Sequence, residues 1–273
     1  MPADDPILHD PDGGLARLRA IMARLRDPAK GCPWDIEQDF ASIAPYTIEE
    51  AYEVADAIER ADWDGLRGEL GDLLLQVIYH AQMAEEAGHF TLDAVIRGIS
   101  DKMVARHPHV FGDASRDKTA AQQTADWEAA KASERAARAQ AGVLDDVALC
   151  LPALLRALKL QKRAARVGFD WDSADRVLDK LTEEAAELVA ARDARDPDRI
   201  EDEMGDLLFV MANLARHLGV DPEAALRRTN AKFTRRFRAI EAALAAQGRT
   251  PQEATLDEME ALWQAAKSGD RPA

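Results

Sequence analysis

Residues 182–191 read TEEAAELVAA and residues 203–209 read EMGDLLF, and both segments have a second copy 134 positions earlier in the chain. The earlier copies are IEEAYEVADA at 48–57 and ELGDLLL at 69–75. Five acidic residues keep the same register in both copies. The pairs are Glu49 and Glu183, Glu50 and Glu184, Glu53 and Glu187, Glu69 and Glu203, and Asp72 and Asp206. Matched acids in one register indicate an internal duplication.

Weaker similarities extend the repeat on both sides. Upstream, GCPWD at 31–35 is similar to GFDWD at 168–172. Downstream, DKMVAR at 101–106 is similar to AKFTRR at 231–236, after a four-residue change in spacing. Between the copies lies a stretch rich in Ala, Gln and charged residues, 113–142. We therefore predict an N-terminal domain over 1–112 and a C-terminal domain over 143–273, joined by a connector over 113–142.

The apolar spacing within each copy is typical of helices. In the first copy, one helix face carries Leu70, Leu73, Leu74, Val77, Ile78 and Ala81. Aromatic residues make up only 5% of the chain, and no alternating strand pattern is present in the sequence. The sequence predicts an all-α protein in which each of two tandem domains is a bundle of about four helices.

Composition and charge bear on the partners and the location of the protein. The formal net charge of −15 argues against nucleic acid, because a phosphate backbone would be repelled. Cys32 and Cys150 are far apart and have no metal-ligand spacing, which indicates a reducing compartment. The first residues lack a signal-peptide pattern, and no apolar run approaches the roughly 18–20 residues that span a bilayer. We expect a cytoplasmic protein without nucleic-acid or membrane partners.

The acidic residues have the spacing of a metal site. In the second copy, Glu184 and Glu187 are three residues apart, as are Glu203 and Asp206, so each pair lies on one helix face. Two such helices packed antiparallel bring four carboxylates together, which costs on the order of several kcal/mol without a cation. Asp206 lies in an otherwise apolar run and is expected to be partly buried, as is Asp72. The pattern favours a Mg²⁺ site, since Mg²⁺ prefers oxygen ligands. The alternative interpretation is that these acids lie on solvated helix faces.

The first copy has the same four candidate metal ligands: Glu50, Glu53, Glu69 and Asp72. Two other metals fit less well. A ferritin-like iron site needs two Glu-x-x-His units, and only Glu86 with His89 has that spacing. Zinc is disfavoured because no Cys/His cluster has ligand spacing.

Basic residues accompany the acids of the second copy. Lys180 precedes Glu184 by four residues and Arg199 precedes Glu203 by four, so each shares a helix face with a candidate ligand. A carboxylate-held Mg²⁺ usually completes its shell with substrate phosphates, which basic residues would also bind. The alternative is that these are simple ion pairs on a helix surface.

A second set of basic residues, each pair four apart, follows both copies. They are Lys232 and Arg236 in the second copy, and Lys102 and Arg106 in the first. At the positions of Lys180 and Arg199, however, the first copy has Tyr46 and Gly65. We therefore expect the second domain to be the better candidate for catalysis.

Other chemistry-bearing patterns are absent from the sequence. It contains no Walker-type glycine loop, no nucleophile elbow and no Cys–His nucleophile pair. Trp34 and Trp171 are expected in core or lid positions, and His217 in a packing or surface contact. Trp263 is interpreted either as a base-stacking residue or as a packing residue.

Together the motifs resemble those of the MazG-like, all-α nucleotide pyrophosphohydrolases, whose signature is EExxE with a downstream ExxD. The resemblance covers most of the chain and is weakest in 1–12, in 113–142 and in the last residues. The segments that carry it are GCPWD at 31–35, PYTIEEAYEVADAI at 45–58, ELGDLLLQV at 69–77, HPHVF at 107–111, KLQKRAARVGFDW at 159–171 and TNAKFTRRF at 229–237.

The resemblance implies hydrolysis of canonical or damaged nucleoside triphosphates to the monophosphate and pyrophosphate. It implies that Mg²⁺, with Mn²⁺ as a substitute, is held by Glu184, Glu187, Glu203 and Asp206. It also implies a nucleotide pocket lined by Lys180, Glu183, Arg199, Lys232, Arg236 and Trp263. Finally, the resemblance implies a homodimer, and it implies that the second half of each chain carries the principal activity.

Two points stay open at the level of sequence. The first half retains all five acids, so its own activity is undecided. Glu183 is our candidate for the residue that takes a proton from the attacking water. The alternative to an enzyme is a non-catalytic regulatory module that binds nucleotide or metal.

Overall fold

The computed structural model describes residues 5–120, 122–124, 126–127, 142–145 and 147–269. Within these ranges every regular element is helical, and no strand is present. The described residues fall into two compact units, one on each side of residue 134. The prediction of an all-α protein built from two related domains is confirmed. Among the described helices, none combines the length and the apolar character needed to cross a membrane.

Among the described residues of the first unit, a 3₁₀ turn at Pro6–His9 is followed by six helices with both ends described. They are α1 (Gly14–Leu25), α2 (Pro33–Glu37), α3 (Phe40–Glu59), α4 (Trp63–Glu86), α5 (Leu92–Arg106) and α6 (Pro108–Phe111). Helices α3 and α4 form the closest pair, and α1 and α5 both pack against α4. The core lies among α1, α3 and α4, where Met22, Ile43 and Ile78 are almost fully buried.

The second unit has five described helices and a 3₁₀ turn at Pro251–Glu253. The helices are α7 (Ala153–Ala165), α8 (Ala174–Ala194), α9 (Pro197–His217), α10 (Pro222–Ala245) and α11 (Leu256–Gly269). Helices α8 and α9 form the closest pair, α7 packs on α9, and α11 packs on α10. Its buried apolar residues include Val177, Val210, Ile240 and Leu244.

The duplication is reproduced in the backbone. Helices α3 and α8 begin 134 positions apart, as do α4 and α9, while α5 and α10 begin 130 positions apart. The turns are equivalent too, because Asp62 and Asp196 cap α4 and α9 by accepting hydrogen bonds from the N3 backbone amide. The residue before each cap is left-handed, with φ of 53° at Ala61 and 57° at Arg195. This turn folds each helix pair into a hairpin.

The apolar face predicted for α4 is only partly buried. Leu70, Leu74 and Val77 are exposed, while only Ile78 and Ala81 of the predicted apolar face are buried. Helix α4 has apolar side chains on more than one face, and only one face packs inside the unit. Met204, Leu208 and Met211 of α9 repeat the exposed set, with Leu208 50% exposed. We call these two sets of three residues the apolar stripes.

The predicted domain limits of 1–112, 113–142 and 143–273 stay a prediction. Residues 128–141 of the connector lie outside the described part of the chain.

Replacing Ala61 by glycine should stabilise the first unit by up to about 1 kcal/mol, because a left-handed φ is unfavourable for a residue with a Cβ. The matched control is Ala51→Gly in the middle of α3, which should cost about 0.5–1 kcal/mol. Chemical unfolding of both variants measures the difference. Equal destabilisation by the two substitutions would contradict the assigned turn conformation.

Candidate functional site

Three carboxylates converge in the second unit. Glu184 and Glu187 lie on α8 and Glu203 lies on α9, and one oxygen of each is within 4.8 Å of the other two. The hairpin between α8 and α9 places the EExxE segment beside the ExxD segment, as the spacing predicted. The donor set consists of carboxylate oxygens alone, which is the chemistry that Mg²⁺ and Mn²⁺ select.

Burial of Glu184 supports a cation at this cluster. Its side chain is among the few buried charged groups, with a residue exposure of 4%. Oε1 lies 2.7 Å from Nζ of Lys180. Oε2 is buried and accepts no hydrogen bond from any described residue. A buried carboxylate oxygen without a partner is unfavourable, and a bound cation would satisfy it.

Electrostatic repulsion within the cluster also favours a bound cation. Loss of surrounding water raises the pKa of Glu187, and the charges of Glu203 and Glu184 raise this pKa further. Carboxylates that repel one another therefore hold protons more readily than isolated ones. A divalent cation among them would reverse this effect.

The first unit has an equivalent cluster with a different membership. One oxygen each of Glu50, Glu69 and Asp72 lies within 4.8 Å of the other two. Glu53 adjoins them, since its charge raises the pKa of both Glu50 and Glu69, where loss of water is the largest cause. Helices α3 and α4 supply these residues as α8 and α9 do in the second unit.

The structure does not place Asp206 in the converging group, although it lies one turn beyond Glu203 on α9. The expectation that Asp72 and Asp206 are partly buried is wrong, because both residues are exposed. Their apolar neighbours include the residues of the apolar stripes, which are themselves exposed. An apolar run around an acid therefore did not mark burial within the unit.

The two basic residues unique to the second unit lie against its acids. Nζ of Lys180 is 2.9 Å from Oε1 of Glu183, in addition to its contact with Glu184. Hydrogen bonds to these two glutamates raise the pKa of Lys180. Nη2 of Arg199 is 3.5 Å from Oε1 of Glu203. Positive charge thus adjoins the cluster on both helices.

The remaining basic candidates lie at equivalent positions on the helix that follows each hairpin. Lys102 and Arg106 lie on α5, and Lys232 and Arg236 occupy the equivalent positions of α10, with both lysines exposed. Cζ of Arg236 lies 5.5 Å from the ring centre of Trp263, and Cζ of Arg106 lies 5.1 Å from that of Trp127. The sequence did not predict this shared arginine–tryptophan pair.

Sequence reasoning also missed a cavity of about 510 Å³ in the second unit, between α7, α9 and the loop that precedes α8. Trp171, expected in a core or lid position, is exposed and lines this cavity. Asp170 beside it accepts hydrogen bonds from Arg216 and is 3.2 Å from Nε2 of His217. The repeated GFDWD motif was the available signal, but it does not reveal a cavity.

Comparison with known proteins locates the clusters within matched regions. Residues 38–111 and 172–240 match the family model described as the MazG nucleotide pyrophosphohydrolase domain. An Escherichia coli (strain K12) protein named nucleoside triphosphate pyrophosphohydrolase is 53% identical over 255 residues, which cover 93% of this chain and 97% of the relative. A Thermotoga maritima protein named nucleoside triphosphate pyrophosphohydrolase/pyrophosphatase MazG is 42% identical over 253 residues, covering 93% and 95%.

Replacing Glu187 by glutamine should weaken Mn²⁺ binding to the second unit at least about tenfold, because a ligand charge is lost. The metal-free variant should melt no lower than the wild type, because the substitution also relieves repulsion within the cluster. Electron paramagnetic resonance of free Mn²⁺ during a titration measures the binding.

Glu201→Gln is the matched control, since Glu201 is an exposed residue of α9 outside the converging group. It should bind Mn²⁺ like the wild type. Unchanged binding in Glu187→Gln would rule out the cluster as the metal site.

Proposed function

Because the chain belongs to the MazG nucleotide pyrophosphohydrolase family, we propose that it hydrolyses nucleoside triphosphates to the monophosphate and pyrophosphate at the cluster of its second unit. The observation that carries this proposal is the convergence of Glu184, Glu187 and Glu203 beside two basic side chains. An all-carboxylate site next to Lys180 and Arg199 suits a metal-bound phosphate chain.

Glu184, Glu187 and Glu203 would hold the metal, with Asp206 one turn away as a further candidate ligand. When bound, Mg²⁺, or Mn²⁺ in its place, neutralises charge on the phosphates and favours ionisation of the attacking water. Lys180 and Arg199 would exchange their carboxylate partners for phosphate oxygens. Glu183, exposed and next to Lys180, would accept the proton of the water.

The nucleotide would also contact the third helix and the tail helix of the second unit. Lys232 and Arg236 provide positive charge on α10, and Trp263 on α11 presents an aromatic ring beside Arg236. In the first unit, Lys102 and Arg106 have the corresponding positions on α5. We assign these residues to substrate binding.

A second role fits the first unit. It has the acid cluster of Glu50, Glu69 and Asp72 but carries Tyr46 and Gly65 in place of Lys180 and Arg199. Without these two cations, a phosphate chain would find less compensation there. We propose that the second unit carries the principal activity and that the first unit binds metal or nucleotide without matching turnover.

The apolar stripes support a homodimer. Each stripe consists of three exposed apolar side chains spaced along one helix, and exposed apolar residues grouped in this way favour a protein interface. We propose that a second copy of the chain covers them. The net charge of −15 supports an enzyme without nucleic-acid partners. We propose that it acts in the cytoplasm and without membrane partners.

The repeat supplies a matched test of catalysis, because Glu203 and Glu69 occupy equivalent positions. With Mg²⁺ and a panel of nucleoside triphosphates, Glu203→Gln should lower pyrophosphate release roughly a hundredfold or more, since it removes a metal ligand. Glu69→Gln should retain most of the activity. Pyrophosphate release is measured directly.

Partial loss in both variants would contradict the assignment of activity to the second unit and indicate two working sites. If the folded wild-type protein released no pyrophosphate from any nucleotide, the enzymatic proposal would be overturned in favour of a binding module.

The dimer proposal predicts that Leu74→Glu combined with Leu208→Glu lowers the mass in solution towards that of a single chain, because buried charge disfavours an apolar interface. Leu256→Glu is the control, since Leu256 is 74% exposed and lies outside the stripes. Light scattering after size-exclusion chromatography gives the masses. An unchanged mass in the double variant would exclude the stripes as the interface.

A further inference from the structure

The cavity between α7, α9 and the loop before α8 has the properties of a small-molecule site. Its volume of about 510 Å³ falls within the roughly 300–1,000 Å³ typical of such sites. Leu160 and Ala164 of α7 and Phe209 of α9 provide apolar walls. Phe169 and Trp171 of the loop add exposed aromatic rings. Flat apolar walls with aromatic rings suit a planar heterocycle.

The cavity lies along the same helix face as the carboxylate cluster. Phe209 and Asn213, which line it, follow Glu203 and Asp206 on α9 at helical spacing. Glu203 of the cluster and Phe209 of the cavity are separated by six residues, or about 9 Å along the helix. That distance suits the sugar and first phosphate of a nucleotide that connects the cavity with the cluster.

A polar groove beside α8 also adjoins both the cavity and the residues next to the carboxylate cluster. Asp170 and Trp171 line both the cavity and this groove, and the groove also contains Lys180 and Glu183. The cavity therefore adjoins side chains that the proposed function assigns to the phosphate end of the substrate. The cation Arg176 lines the groove as well.

Gln161 lines this cavity and has an unpaired acceptor in its side chain. Its residue exposure is 8%, and its Nε2 donates a hydrogen bond of 2.8 Å to the carbonyl oxygen of Phe209. Only the NH₂ end of the amide can make this bond, so the orientation of the side chain is fixed. Oε1 is buried and accepts no hydrogen bond within the described part of the chain. A ligand with an N–H group would satisfy it.

Asn213 presents the complementary group. It is 3% exposed and lines the cavity, and its Oδ1 accepts a hydrogen bond of 2.8 Å from Nε of Arg216. Because Arg216 can only donate, the NH₂ end of Asn213 is the end left for a ligand. The Phe209 carbonyl that binds Gln161 lies one turn before Asn213, so both amides belong to the same wall. An acceptor and a donor among the residues that line one cavity suit the hydrogen-bonding edge of a nucleobase.

We propose that this cavity binds the base of the nucleoside triphosphate, with Gln161 accepting an N–H and Asn213 donating to a ring nitrogen or carbonyl of the base. The proposal rests on the proposed function and adds to it the residues that recognise the base.

The first unit provides an internal comparison. Tyr79 stands at the position of Asn213, is 4% exposed, and donates a hydrogen bond of 3.0 Å to the carbonyl oxygen of Asp35. Asp35 belongs to the GCPWD segment and lies in α2. Cζ of Arg26 lies 5.6 Å from the centre of the Tyr79 ring, and Arg26 also donates to the carbonyl of Gln38. Side chains of the first unit thus contact the segment around α2, which corresponds to the loop beside the cavity in the second unit. Base recognition is accordingly a property of the second unit.

The test compares substrates with and without a base in Gln161→Met, which keeps the size of the side chain and removes the acceptor. For the wild type, kcat/KM with ordinary nucleoside triphosphates should exceed that with ribose 5-triphosphate, which has no base. In Gln161→Met, kcat/KM for the nucleotides should fall at least tenfold, while that for ribose 5-triphosphate stays within twofold of wild type. A triphosphate whose base edge is blocked by N-methylation should be a poor substrate for the wild type and should lose little further in the variant.

Gln76→Met is the matched control, because Gln76 is a buried glutamine of the first unit that also has an unpaired Oε1. It should leave the kinetics of all these substrates unchanged. Thermal melting and mass in solution of both variants show whether fold and assembly are intact.

Three outcomes would overturn the proposal and leave the hydrolase function standing. One is an equal fall for nucleotides and ribose 5-triphosphate in Gln161→Met. Another is unchanged base dependence in Gln161→Met together with its loss in Trp263→Leu, which would place the base on Trp263. The third is a change in mass without a change in base dependence, which would make the cavity part of an interface. Absence of hydrolysis of every substrate by the wild type would instead remove the proposed function itself.

Discussion

In both units, carboxylates on the two helices of a hairpin repel one another, and the structure around the candidate site depends on compensating this repulsion. In each unit three acids from two helices converge within 4.8 Å, an arrangement that is unfavourable unless positive charge compensates it. The left-handed residue before each cap, Ala61 or Arg195, fixes the turn and thereby the register in which the acids meet. The N-cap of the second hairpin helix and the arginine–tryptophan pair of the next helix are repeated in both units.

The two units show how a duplicated scaffold can diverge while it keeps its helical hairpin. Both keep the acid cluster and an apolar stripe. The second unit adds Lys180 and Arg199 beside its acids and leaves a cavity next to the GFDWD loop. In the first unit Tyr79 occupies the position of Asn213 and donates a hydrogen bond to the Asp35 carbonyl in α2. Under the proposed function, these differences at a few side chains would let the second unit bind a whole nucleotide and leave the first unit with metal ligands only.

The sequence was sufficient for the features that depend on local spacing. The acids at intervals of three predicted their shared helix faces, and the 134-residue repeat predicted two helical units of one kind. Burial of Asp72 and Asp206 was predicted wrongly, because periodicity identifies apolar faces without showing which one packs inside the unit. The cavity was missed because Gln161, Trp171 and Asn213 come from three separate elements. The pairing of Gln161 with the Phe209 carbonyl is a tertiary contact with no sequence pattern of its own.

The ion pair of Lys180 with Glu184 has a consequence for how the site would be loaded. In the structure the lysine compensates the buried glutamate, so the same ammonium group cannot fully serve a phosphate chain until something else compensates Glu184. Under the proposed function, a cation at the cluster releases Lys180, and a triphosphate that takes up Lys180 leaves Glu184 to the cation. Metal and nucleotide are then thermodynamically linked through one lysine, and each raises the affinity for the other by the same factor.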